Sequence, residues 1–192
     1  VIASTHPPPA VPQVFAAALQ GDPRLIRDAT RPRALDAIAA DERVLVVGTG
    51  LTMADVVASL DAAGHRGPVT AFSRRGQLSA SHPPFTVPAF GDFTREPSAT
   101  ASALVRRIRA AVREAERQGV PPQAVFDALR AQGRAIWRAL PLQERSRVVR
   151  HLRVFWDARR FRIAPQVHDV LEARKARGLF NVVAGRAVEV AG

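Results

Sequence analysis

The hydrophobic rhythm of the chain changes twice between residues 43 and 73. Residues 43–47, RVLVV, form an apolar run of β-branched and aliphatic side chains, which predicts a buried parallel strand. Residues 51–63 continue in helix formers and stop at Gly64, which predicts a helix. Residues 69–73, VTAFS, follow the turn pair Gly67-Pro68 and predict a second short strand. Strand, helix and strand within about thirty residues make a βαβ unit.

On either side the pattern differs. The first twelve residues hold four prolines, Pro7, Pro8, Pro9 and Pro12, and predict an extended connecting segment, followed by a short helix over 14–19. Residues 76–97 are rich in proline, serine and glycine and predict a surface loop. Three helical patterns come next, over 101–118, 122–140 and 142–160. In the first, Leu104, Ile108, Val112 and Ala115 form an apolar stripe, with Arg106, Arg109, Arg113 and Arg117 largely off it. A last helix over 165–177 is closed by Gly178, and 179–184 predicts a third strand, completing a second crossover. The expected fold is α/β: a parallel sheet built from 43–97 and 164–192, with a helical insertion over 98–163.

Composition narrows the chemistry. The 192 residues suit one domain, or one and a small subdomain, and 47% hydrophobic content supports a substantial core. No cysteine is present, which excludes disulfides, thiolate metal sites and cysteine nucleophiles within the chain. The net charge is +11, and Lys175 is the only lysine. Arginine presents a planar fork suited to phosphate, so phosphorylated small molecules and nucleic acid both enter as partners. No apolar run approaches a membrane span, and the opening residues lack the order of a signal peptide, so the expected location is cytoplasmic.

The turn between the first strand and helix carries Gly48-Thr49-Gly50-Leu51-Thr52. In a dinucleotide-binding βαβ unit the first glycine permits the tight turn and the second lets the backbone approach a pyrophosphate. The third allows helix to pack on strand. Gly48 and Gly50 suit the first two roles, whereas Met53 stands at the third. Helix-terminal amides and the helix dipole favour phosphate at that place. The second strand ends at Ser73, Arg74 and Arg75. Units that bind NAD place an acid near this point, whereas arginine accommodates the 2′-phosphate of NADP. The expected ligand is therefore NADPH, with NADH as the lesser candidate, on a Rossmann-like sheet.

The segments GTGLTMADV (48–56) and FSRRG (72–76) resemble the pyridine-nucleotide domain of flavoproteins with two dinucleotide-binding domains, such as thioredoxin reductases and flavin monooxygenases. There the helix opening often reads G-x-G-N-S-A-x-E; here Thr52 stands for the serine, Met53 for the alanine and Asp55 for the glutamate. The likeness extends to bacterial FAD/NAD(P)-binding proteins with G-T-G-L-T-M and a W-D-x-x-R helical segment, here Trp156, Asp157 and Arg160. IASTHPPP (2–9) resembles the A-T-G segment at which such proteins leave the FAD domain, with Ser4 and Thr5 departing from threonine and glycine. No second G-x-G-x-x-G turn is present. The resemblance implies that residues 1–42 link to an FAD domain absent from this sequence. FAD would then be a cofactor of the full-length protein, bound by further segments of the same polypeptide. It also implies a dinucleotide site of Gly48, Thr49, Gly50, Leu51, Thr52, Asp55, Ser73, Arg74 and Arg75.

Other chemistry finds little support. His6, His65, His82, His151 and His168 lack metal-ligand spacing, no G-x-S-x-G elbow or Walker A segment occurs, and Ser81 beside His82 is not a nucleophile–base pair by adjacency. Trp137, Phe155, Trp156 and Phe161 lie among arginines in the insertion, where either a flavin or substrate pocket or core packing would use them; the helical spacing of Val148, Leu152 and Phe155 favours core packing. The alternative reading is a basic nucleic-acid or protein interaction module on a Rossmann scaffold that has lost its cofactor. Against nucleic acid, Glu114, Glu116, Asp127 and Glu144 are interspersed among the arginines.

Overall fold

A computed structural model describes residues 9–190. The described residues form two compact units: residues 9–76 with 169–190, and residues 77–168. Residues 1–8, with most of the segment likened to the FAD-domain exit, lie outside the described residues.

The first unit is built on a three-stranded parallel sheet, in the order β1 (Val44–Val47), β2 (Val69–Ser73) and β3 (Phe180–Ala184). Val44 pairs with Val69 and Val69 with Phe180, and the register continues to Val47 with Phe72 and Ser73 with Ala184. Helix α2 (Leu51–Ala62) joins β1 to β2, and α7 (Pro165–Ala176) precedes β3. Side chains alternate across a sheet, so Val69, Ala71 and Phe180 share the buried face while Leu45, Val47 and Val183 share the other, where all three are exposed. The α2 residues Met53, Val57 and Leu60 and Leu171 of α7 are buried as well.

Residues 9–42 do more than connect. Helix α1 (Gln13–Ala18) buries Phe15, whose ring lies 6.0 Å from that of Phe72. The turns after it are braced locally: the Arg24 guanidinium hydrogen-bonded to Asp22 holds that carboxyl at a pKa of about 2. Ala40 accepts hydrogen bonds from the amides of Arg66 and Gly67, and a Cβ at Gly67 would collide with the Glu42 carbonyl.

Arg174, on α7, is fully buried. It donates to Asp61 on α2 at 3.0 Å and to the carbonyls of His65 and Gly67, each at 2.8 Å. His65 Nε2 lies 2.9 Å from the Glu42 carbonyl. A carbonyl can only accept, so Nε2 carries the proton and Nδ1 accepts from Arg174 at 3.3 Å.

The second unit is helical: α3 (Ala101–Arg117), α4 (Gln123–Ala139), α5 (Leu142–Arg147) and α6 (Arg153–Arg160). Its core gathers Phe93, Leu104, Ala115, Val125, Ala128, Leu129 and Leu140, with Ile108, Val112 and Trp156 packed against them. The α3 stripe therefore faces inward as its spacing predicts. Thr100 caps α3 by accepting from the Ala103 amide, and the Glu144 carboxylate accepts from Ala101.

Four expectations change. The apolar run 43–47, expected as a buried strand, forms β1 with Leu45 and Val47 exposed on the face opposite the buried Val69 and Ala71. The single helix over 142–160 is interrupted by a π-helical turn at Val148–Leu152, which shifts the helical phase of α6. Trp156 rather than Phe155 therefore reaches the core, and Phe155 is exposed. Residues 77–97 belong with the helices rather than the sheet, because Phe93 is buried among them and Gln132 bonds both the Phe93 amide and the Gly91 carbonyl. The second unit thus begins near residue 77, not 98. Among the described residues, no helix is long and apolar enough to cross a membrane.

Candidate functional site

At the carboxyl end of β1 the backbone turns through Gly48, whose φ of 115° is strained for any residue with a Cβ. Its amide donates to the Phe72 carbonyl at 2.8 Å, so the turn begins while still attached to β2. Gly50 then caps α2 with φ −89° and ψ −160°, extended backbone that any residue adopts. A Cβ at Gly50 would meet nothing within 4 Å. No side chain caps the start of α2, and its first turn contains no acid. The first intrahelical bond runs from Ala54 to the Gly50 carbonyl, leaving the amides of Leu51, Thr52 and Met53 without partners inside the helix.

Thr49 is buried between the two glycines, and its hydroxyl lies 2.8 Å from that of Ser73. Ser73 Oγ also accepts from the Gly76 amide at 3.1 Å, and the Ser73 carbonyl accepts from Gly185 at 2.9 Å. Gly76 has φ 58°, and a Cβ there would sit 3.2 Å from that of Ala184. Arg74 and Arg75 are thus the exposed residues of a turn held at both ends. Because the strands are parallel, this turn and the glycine turn leave the same end of the sheet, with the hydroxyl pair between them.

The structure brings Gly48, Thr49, Gly50, Leu51, Thr52 and Ser73 together, with Arg74 and Arg75 next along the chain. Leu51 and Thr52 are exposed at the helix start. Met53, where the dinucleotide pattern has its third glycine, is buried. Asp55 is exposed one turn into α2, beyond the unpaired amides. The pairing of Thr49 with Ser73 escapes sequence reasoning, since the residues are 24 apart and an alcohol carries no motif of its own. Its signal is positional: each stands just past or at the end of adjacent parallel strands.

This arrangement can bind anions. Three amides at a helix start attract negative charge, an open surface over Gly50 admits a group close to the backbone, and two guanidinium groups stand at the neighbouring strand end. Among the described residues, no group of three or more His, Cys, Asp or Glu side chains is placed to hold a metal ion. No protein-family model, curated protein or solved structure matches the chain.

Proposed function

We propose that the first unit is a Rossmann-like NADPH-binding domain of an FAD-dependent oxidoreductase or monooxygenase of the cytoplasm. The observation that carries this reading is the open surface over Gly50. A turn that merely connects strand to helix needs glycine at position 48, where φ is positive. It does not need one at 50, where the backbone is ordinary and unobstructed. A ligand backbone lying against Gly50 accounts for the missing side chain.

The residues present fit such a ligand. The amides of Leu51, Thr52 and Met53 would hold the pyrophosphate, aided by the α2 dipole and the lack of a first-turn carboxylate. Arg74 and Arg75 would take the adenosine 2′-phosphate through charge-assisted hydrogen bonds. Ser73 leaves that phosphate unopposed, and its bond to Thr49 sets the distance between the two subsites. NADH would occupy the same glycine turn without engaging the arginines. Bound NADPH supplies a hydride, and the flavin that accepts it would be carried by further segments of the same polypeptide.

Gly50→Val tests the carrying observation. The variant should fold as the parent does and lose NADPH affinity by at least tenfold, because the isopropyl group fills the volume the pyrophosphate needs. Unchanged NADPH affinity in a folded Gly50→Val protein would leave the turn without a ligand role.

A further inference from the structure

We infer that the outward face of α4 binds single-stranded nucleic acid, independently of the dinucleotide reading. Residues 77–168 hold 16 of the 28 basic side chains but 7 of the 17 acidic ones, and so carry nine of the eleven net positive charges. The acids interspersed among them are largely committed. Glu144 is buried, accepting from the Ala101 amide and pairing with Arg147. Asp127 takes two hydrogen bonds from Arg162, and Glu114 pairs with Arg117. Interspersion in the sequence is therefore not neutralisation on the surface.

On α4 the remaining charge forms a row. Arg130, Arg134, Trp137 and Arg138 fall within about 100° of arc, opposite the buried Ala124, Val125, Ala128 and Leu129. The three arginines are exposed, and none has a carboxylate within ion-pair distance among the described residues. Successive arginines stand about 6 Å apart along the helix axis, a line of charge matched to a polyanion.

Trp137 decides which polyanion. Its indole is 41% exposed within this charged row. The Arg145 guanidinium lies over the ring at 5.8 Å and is itself fixed by bonds to the carbonyls of Leu140 and Arg138. One face of the indole is thus braced while part of the ring stays open. The carboxylates of an acidic protein surface would satisfy the arginines without stacking on the indole. Unpaired bases on a phosphate backbone supply both contacts.

The test is fluorescence anisotropy of labelled oligodeoxythymidylate with the intact chain across a salt series. Binding should weaken with salt at a log–log slope of about −2, as expected for three phosphate contacts on a single strand. R130Q/R134Q/R138Q should abolish most of that slope and weaken binding at least tenfold. The charge-matched α3 variant R106Q/R109Q/R113Q should change it much less. W137A should weaken binding roughly tenfold, while W137F should retain most of it. Equal losses from the α3 and α4 variants would reduce the effect to net charge. Polyglutamate binding as tightly as the oligonucleotide would instead assign the face to an acidic protein. Either result, unaltered binding by W137A, or no oligonucleotide binding at low salt, overturns the proposal.

Discussion

Gly48 and Gly50 stand two residues apart and are glycine for different reasons. At Gly48 the backbone itself demands it, so Gly48→Ala should cost about 1–3 kcal/mol of stability through positive-φ strain. At Gly50 the backbone makes no such demand, and Gly50→Val should cost only the N-cap preference for glycine, about 0.5–1 kcal/mol, less than Gly48→Ala. Urea titrations of the two variants separate these roles; equal destabilisation would contradict the division. The G-x-G spacing was legible in the sequence, but this difference was not, because φ is set by how the strand end meets the helix. Ser73 shows a similar limit. Its lack of charge was visible, whereas its hydrogen bond to Thr49 depends on the two strands lying side by side.

Among the elements, all three strands and the helices α1 to α4 and α7 fall within a residue or two of the positions their patterns predict. The failure lies at 142–160, where periodicity assumes a constant turn and a π-helical insertion breaks it. The tie between α2 and α7 was also hidden, since Asp61 and Arg174 are 113 residues apart. Arg174 is fully buried while Asp61 is about a third exposed, so the guanidinium is the partner harmed more by separation. Asp61→Ala should cost ~2–3 kcal/mol by leaving a buried cation without its counter-ion. Combined with Arg174→Met it should cost no more than either change alone. Strict additivity in chemical denaturation would show that the pair is not coupled.

At the scale of the molecule, the parallel sheet and the helical insertion between β2 and β3 follow from the alternation of strand and helix patterns, whereas the order β1-β2-β3 is set by the pairing itself. The boundary near residue 77 does not, because a proline- and serine-rich stretch reads as loop whether or not an aromatic such as Phe93 anchors it in a core. Fold and charge are also divided between the units: the sheet unit carries the glycine turn, and the helical unit most of the positive charge. We propose that the turns after β1 and β2 act together on NADPH, although 24 residues separate Thr49 from Ser73. Isothermal titration of the parent and of R74A/R75A with NADPH and NADH tests it most directly. Charged hydrogen bonds contribute about 1.5–3 kcal/mol each, so the double variant should lose roughly ten- to a few hundred-fold in NADPH affinity, allowing for nonadditivity. NADH, lacking the 2′-phosphate, should bind the two proteins alike, and the preference for NADPH should shrink as salt rises. Equal affinity of the parent for both dinucleotides, or equal losses of both in the double variant, would contradict the claim.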